Sequence, residues 1–142
     1  MADREVVIHS AWRPFYESTG IPAAVRAGEA LYLTGHAGED AEGEFADDVE
    51  TQVRAAFRNV ADTLHAAGAD WSDVLHVTSY HVGVRQQVPI MLDVAAEFLE
   101  RPFPAWMAVG VAELLDEGAV IDMTCVAVVG GTAAQDGARE GA

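Results

Sequence analysis

The spacing of apolar residues changes along this chain between the period of a helix and the period of a strand. From residue 49 to 67 apolar residues recur at steps of three and four and form one stripe, made of Val49, Val53, Phe57, Val60 and Leu64. Asp47, followed three residues later by Glu50, marks the expected start of this helix, and Gly68 marks its end. A second helix is predicted to begin at Pro89, a favoured first-turn residue, and to end before Pro102.

The rest of the patterned sequence has the two-residue alternation of strands. The predicted strands cover residues 6–9, 23–27, 30–35, 74–82, 105–112 and 120–129. The order of elements is therefore β-β-β-α-β-α-β-β, which predicts an α+β fold with a mixed six-stranded sheet. Since two helices cover only one face of such a sheet, we expect both of them on one face and the other face open.

The alternation also predicts which side chains lie on the open face. In strand 120–129 the residues Ile121, Met123, Cys125 and Ala127 are uniformly apolar and should face the helices. The same parity predicts that Leu31, Leu33, Met107, Val109 and Val111 face the helices as well. The open face would then carry Tyr32, Thr34, Trp106, Asp122 and Thr124. Because that face also holds large apolar groups, we expect copies of the chain to associate through it.

Charge and cysteine content limit the classes of function. The 142 residues predict one domain over residues 1–129, followed by a disordered tail over 130–142. The net charge of −15 argues against binding to nucleic acid or to an anionic membrane surface. Cys125 is the single cysteine, which excludes an internal disulfide, and we expect it to pack in the core. With neither a signal peptide nor a transmembrane pattern, a cytoplasmic location is expected.

An acidic segment over residues 39–50 contains seven carboxylates and no basic residue. We interpret it as a solvated loop that leads into the first helix, with an acidic docking segment or a calcium loop as the alternatives. The ligand register of an EF-hand is absent.

Few residues have the character of a catalytic or ligand-binding group. Asp122 lies within an apolar strand, where a carboxylate needs hydrogen bonds or keeps its proton, so it is either an acid/base or a structural group at a subunit contact. Thr34-Gly35-His36 ends a strand, and it is either a ligand-binding turn or an ordinary β-turn. We expect His9 and His65 to be solvated and His76 and His81 to lie on opposite faces of their strand. With no metal-ligand or nucleotide-binding motif, no metal or cofactor is expected.

Four segments together resemble the YjgF/RidA family of reactive-intermediate deaminases over roughly residues 21–129. The resemblance lies in residues 28–35 (GEALYLTG), in Glu50-Thr-Gln-Val with the later Ala67-Gly68, in residues 74–80 (VLHVTSY), and in Pro104-Ala105 with Ile121-Asp122. It implies a chorismate-mutase-like α+β fold, a homotrimer, and clefts at the subunit interfaces. It also implies hydrolysis of enamines and imines such as 2-aminoacrylate to a keto acid and ammonia without a metal or cofactor.

The positions that bind substrate in the family are altered here. An arginine that holds the substrate carboxylate is replaced by Trp106, a frequent cysteine by Ala108, a tyrosine by Ile21 and an asparagine by Leu92. Thr34 stands where serine is usual and Asp122 where glutamate is usual, so these two are the expected catalytic residues. Gly35 and the four altered positions are the expected substrate-binding residues. Without the arginine, a larger or less anionic ligand that stacks on Trp106 is expected.

Two hypotheses follow from the resemblance. The first is an imine or enamine hydrolase of altered specificity, in which Asp122 handles protons and Thr34 orients the ligand. The alternative is a catalytically silent trimer that binds a metabolite or a protein. Ribonuclease activity, attributed to some relatives, is disfavoured by the charge.

Overall fold

A computed structural model describes residues 3–130 of the chain. The tail predicted over 130–142 lies, from residue 131 onward, outside the described residues. The helices are α1 (Arg13–Thr19), α2 (Val49–Ala66) and α3 (Val84–Phe98), and a short 3-10 helix covers Trp71–Asp73. The strands are β1 (Glu5–Val7), β2 (Ala24–Ala27), β3 (Ala30–Leu33), β4 (His36–Ala37), β5 (Val74–His81), β6 (Ala105–Gly110) and β7 (Ile121–Val128).

The strands form one mixed sheet in the order β1-β2-β3-β7-β5-β6, with the short β4 also paired to β7. Strands β5 and β6 are parallel because α3 connects them as a crossover, and the other pairs are antiparallel. The predicted α+β class and mixed sheet are confirmed. The additions are β4, which continues past β3 along β7, and the helix α1.

Helix α2 follows the predicted stripe closely. Val53, Phe57, Val60 and Leu64 are fully buried against the sheet. The N-cap is Asp48 rather than the predicted Asp47, and its carboxylate accepts from the backbone N–H of Thr51 at 3.0 Å. Gly68 has a φ of +80°, which suits the residue that ends the helix.

Helix α3 begins at Val84, so the predicted start at Pro89 is wrong. The chain leaves β5 at His81 and enters α3 through Gly83, whose φ of +99° allows the tight turn. Pro89 therefore lies inside the helix, and the missing N–H costs one intrahelical hydrogen bond.

The predicted sheet faces are confirmed in β3 and β7. Leu31 and Leu33 are buried, as are the four apolar residues of β7, whereas Tyr32 is 54% exposed. In β6 the prediction is wrong, because Trp106 and Ala108 lie opposite Val77 and Ser79, which are buried beneath the helices.

Met107, rather than Trp106, lies on the open face of β6 and is 60% exposed. The parity of β6 was ambiguous because residues 105–112 are apolar throughout, so alternation alone did not distinguish its two faces.

Helix α1 was not predicted, although its boundaries carry ordinary signals. Pro14 lies in the first turn, and Gly20 closes the helix in the left-handed conformation with a φ of +77°. The segment has seven residues and buries none of them, so it lacks the apolar stripe from which helices are recognised. Its function in the fold is to place Trp12 and Phe15 beside the end of β3.

Candidate functional site

Asp122 lies near the start of β7, on the face of the sheet that the helices leave open. Its backbone is paired on one side with Ala37 of β4 and on the other with Tyr80 of β5. Its Oδ1 atom is buried and has no hydrogen-bond partner among residues 3–130. Burial and the charge of Asp116 raise the pKa of Asp122 from 3.8 to about 6, against a smaller lowering by the backbone N–H of Met123. A carboxyl group with this pKa exchanges a proton near neutral pH.

Gly35 makes room for this carboxylate at the break between β3 and β4. A Cβ atom on Gly35 would lie 2.7 Å from Oδ1 of Asp122, closer than unbonded atoms approach, and 3.3 Å from its Cγ. The break is held by a side chain, since the hydroxyl of Thr124 donates to the carbonyl of Leu33. Gly35 and Asp122 therefore lie side by side within one chain.

The hydroxyl of Thr34 is directed into the fold. It donates to the carbonyl of Pro22 at 2.7 Å, so its proton is committed to the backbone. Its role as a catalytic residue stays a prediction, and the geometry gives it a positioning role beside Gly35.

A cavity of about 200 Å³ opens beside Asp122, and we call it the Asp122 cavity. Its lining combines carboxylates with aromatic and small residues: Ala11, Trp12, Phe15, Gly35, Ala37, Glu39, Gly43, Phe45, Leu115, Asp116 and Asp122. Burial, together with the charges of Asp116, Asp122 and Asp40, raises the pKa of Glu39. An apolar cavity of roughly 150 Å³ accommodates benzene, so this space admits a ligand with one aromatic ring.

The acidic segment forms one wall of this cavity instead of lying wholly in solvent. Asp40 organises it, because its Oδ1 atom accepts from the backbone N–H groups of Glu42 and Glu44, each at 2.9 Å. An isolated antiparallel β-bridge between Glu39 and Phe45 closes the loop, and both residues line the cavity with Asp122. The interpretation of residues 39–50 as a solvated loop is therefore wrong for Glu39 and Phe45.

A hydrogen-bonded chain of histidines lies next to the cavity. His36 Nδ1 donates to the carbonyl of Thr34 at 2.6 Å, so His36 Nε2 accepts from the hydroxyl of Thr63 at 2.7 Å. That hydroxyl oxygen also accepts from Nε2 of His9 at 2.8 Å, which corrects the expectation that His9 is solvated. Burial lowers the pKa of His36 to about 4 and lowers the pKa of His9 as well. Both rings are therefore neutral at pH 7, and they fix the segment that carries Gly35.

Trp106 is held on the helix side of the sheet, away from Asp122. Its ring packs 6.2 Å from that of Phe57, and its Nε1–H donates to the hydroxyl of Ser79 at 3.0 Å. Ser79 donates in turn to Nε2 of His81 at 2.8 Å, and Nδ1 of His81 donates to Gln87 at 2.9 Å. The prediction that Trp106 and Asp122 share one face is wrong, and within one chain the indole does not line the Asp122 cavity.

The remaining predicted binding residues do not line the Asp122 cavity. Ile21 is 43% exposed, and its carbonyl accepts from Nε1 of Trp12, a lining residue, at 2.9 Å. Ala108 lies on the same side of β6 as Trp106 and is exposed, and Leu92 on α3 is 45% exposed. Of the predicted residues, the structure thus brings Gly35 and Asp122 together in the lining, with Thr34 next to Gly35, and leaves Trp106, Ala108 and Leu92 outside it.

Sequence reasoning named only Gly35 and Asp122 among the cavity residues, and the missed ones include Trp12, Phe15, Glu39 and Asp116. Trp12 and Phe15 depend on the unpredicted α1, although Pro14 and Gly20 marked that helix. Glu39 and Asp116 come from loops, and sequence patterns carry no signal for their approach to Asp122.

Other predicted side chains behave as expected. His65 is exposed, and His81 is buried while His76 is exposed on the opposite face. Cys125 is 3% exposed, and burial raises the pKa of its thiol to about 12.

Across residues 3–130, no group of three or more His, Cys, Asp or Glu side chains has the geometry to hold a metal ion. No helix in the same range has the length and apolar character to cross a membrane.

The mixed, mostly antiparallel sheet backed by two long helices is the YjgF/RidA fold, as its likeness to solved structures of that fold shows. The family described as Endoribonuclease L-PSP, which is the YjgF/RidA family, matches residues 19–129, and the chain belongs to it.

Similar proteins extend over most of the chain. The RutC family protein YjgH of Escherichia coli is 36% identical over 115 residues, which are 80% of this chain and 88% of the relative. A 2-iminobutanoate/2-iminopropanoate deaminase of Dermatophagoides farinae is 32% identical over 108 residues, 75% of this chain and 83% of the relative. The solved structure of protein YJGH has a TM-score of 0.78 and 32% identity, covering 90% of this chain and 98% of its own.

Proposed function

We propose that the protein is a RidA-like hydrolase of enamines or imines with altered substrate specificity, in which Asp122 is the acid/base. The observation that carries this proposal is the buried, unpartnered Oδ1 of Asp122, in a residue that lines a ligand-sized cavity and whose pKa is about 6. The relative named as an iminobutanoate/iminopropanoate deaminase supports the same class of reaction.

The chemistry needs only a positioned carboxylate and water. Asp122 accepts a proton from water while the oxygen forms a bond to the carbon of the protonated imine, which gives a neutral carbinolamine. The same group then returns that proton to the nitrogen, and its carboxylate takes up the hydroxyl proton as the C–N bond breaks. A carbonyl compound and ammonia leave, and Asp122 releases the remaining proton to solvent. Gly35 contributes by leaving room for the carboxylate, and Thr34 by holding the strand break in place.

The protein is proposed to act as a homotrimer with its sites at the subunit interfaces. The open face of the sheet exposes Tyr32, Tyr80 and Met107, which a monomer would leave in water. Trp106, Ala108 and Leu92 lie apart from Asp122 within one chain, so a site that uses both groups requires a second copy. Light scattering should give the mass of a trimer, and Met107→Arg should lower it; an unchanged mass would argue against association through this face.

The activity is tested with imines generated by an amine oxidase or an amino acid oxidase, with carbonyl release as the readout. Asp122→Asn should abolish the rate above the uncatalysed reaction, and Asp93→Asn, an exposed aspartate of α3, serves as the matched control. The rate of the unmodified protein should rise with pH through about 6, where the Asp122 carboxyl loses its proton. Equal rates for the two variants would remove Asp122 from the reaction.

The second candidate is a non-catalytic member that binds a metabolite or a protein. The hydrogen bond that fixes Trp106 to Ser79 favours it, because a side chain held in the core does not replace a substrate-gripping arginine. Calorimetry that detects ligand binding without turnover of any imine would support this candidate.

A further inference from the structure

The charge on the lining of the Asp122 cavity is wholly negative. Glu39, Asp116 and Asp122 supply three carboxyl groups, and among the described residues the lining contains no lysine, arginine or histidine. His9 and His36 line an adjoining cavity of about 40 Å³ and are neutral at pH 7. A ligand carrying a carboxylate would therefore meet like charge, with no cation in the lining from the same chain to offset it.

The walls opposite these carboxylates are aromatic and fixed in position. Trp12 stacks on His36 with ring centroids 4.6 Å apart and meets Phe15 edge to face at 5.2 Å. Its Nε1–H is held by the carbonyl of Ile21, and Phe45 packs against the opposite loop at Gly118. Aromatic faces attract organic cations and accept apolar groups, and a pre-set wall loses little entropy on binding.

The unpartnered Oδ1 atom of Asp122 indicates which polar group a ligand needs in order to complete the site. Oδ1 of Asp122 is buried beside Gly35 and accepts no hydrogen bond within residues 3–130, and Asp122 is one of the residues that line the cavity. A buried carboxylate oxygen gains most from a charged N–H donor. An iminium or ammonium nitrogen supplies that donor and offsets the negative charge.

We propose that the Asp122 cavity binds a carboxylate-free organic cation, an iminium compound or its parent amine, that carries an aromatic or apolar substituent. This inference rests on the proposed function for the reaction at the same site and names its substrate class. The favoured substrate is the imine of a simple amine, and the imine of an amino acid is disfavoured.

The test uses two imines that differ only by a carboxylate. An amine oxidase acting on 2-phenylethylamine supplies the cationic imine, and an amino acid oxidase acting on phenylalanine supplies the 2-imino acid, each with catalase present. We expect the cationic imine to be hydrolysed with a kcat/KM at least about tenfold higher. Asp116→Asn should reduce the ratio of the two kcat/KM values, whereas Asp93→Asn should leave that ratio unchanged.

Binding is measured separately by calorimetry, with 2-phenylethylamine and 3-phenylpropanoate as probes and Asp122→Asn as the variant. The inference is supported if the amine binds, the anion does not, and Asp122→Asn weakens binding of the amine at least about tenfold. This holds even if neither imine is hydrolysed. A lack of hydrolysis would refute only the proposed function. Equal hydrolysis of both imines would overturn the inference and leave the proposed function intact. Preference for the anion, or no binding of the amine, would overturn the inference.

Discussion

Replacing Asp122 by asparagine is expected to stabilise the protein while it abolishes activity. The pKa of this carboxyl rises from 3.8 to about 6 on folding, and a difference of this size corresponds to roughly 3 kcal/mol of unfavourable free energy for the charged form. Because the side chain is only partly buried, solvent screening reduces the expected gain at pH 8 to about 1–2 kcal/mol. For a chain of this length, that gain raises Tm by about 3–6 °C.

The pH dependence distinguishes this effect from an ordinary packing change. Because folding raises the pKa of Asp122, the group disfavours the native state only when it is charged. The free energy of unfolding is therefore highest below pH 4, and this advantage is lost as the pH rises through 6. The advantage of Asp122→Asn should therefore be absent at pH 4 and complete above pH 7. Urea unfolding at pH 4 and pH 8, at a fixed protein concentration, measures this difference in the free energy of unfolding, with Asp93→Asn as the control.

Two results would refute this reasoning. An equal gain at pH 4 and pH 8 would mean that the charge of Asp122 is not the cause. A loss of stability at pH 8 would mean that a cation, for example from a neighbouring copy, pairs with the carboxylate in the assembled protein.

Three further substitutions have definite expected outcomes. Gly35→Ala should displace the Asp122 carboxylate and lower the rate of imine hydrolysis about 10²-fold, with little change in circular dichroism. Trp106→Phe removes the N–H that bonds to Ser79 and should lower the free energy of unfolding by about 1–2 kcal/mol in urea titrations, with no change in the pH profile of activity. Gln52→Leu leaves three backbone groups without their partner, and a loss of about 2–4 kcal/mol is expected; a loss below 1 kcal/mol would show that the loops re-pair.

The long elements could be predicted because their apolar periods are strong. The stripe of α2 and the alternation of β7 identify the buried faces correctly, and Asp122 is conspicuous because it is the one charged residue of β7. The helix α1 and the parity of β6 could not be obtained in the same way. Helix α1 buries no residue. Strand β6 has apolar side chains on both faces, so the packing of Trp106 against Phe57 decides the orientation of the strand.

The candidate site was only half predictable. Gly35 and Asp122 belong to segments with a clear pattern, and their proximity follows from the pairing of β4 with β7. Glu39 and Asp116 belong to loops, whose paths depend on backbone hydrogen bonds such as those that Asp40 accepts. Sequence shows how many carboxylates such loops contain, but the direction of each side chain is set by turns that periodicity does not describe.

Two features of this chain favour a cationic ligand over an anionic one. The resemblance implies an arginine at position 106, where this chain has a neutral indole bound to Ser79, and the acidic segment places Glu39 in the same cavity lining as Asp122 and Asp116. At a separation of about 5 Å and an effective dielectric constant near 20, one such carboxylate changes the binding free energy of a charged ligand by roughly 3 kcal/mol. The carboxylates of the lining are therefore sufficient to favour a cation, and the missing arginine removes a group that would hold an anion. Because Asp122 itself keeps its place in the fold, we expect the reaction class to persist while the substrate class changes.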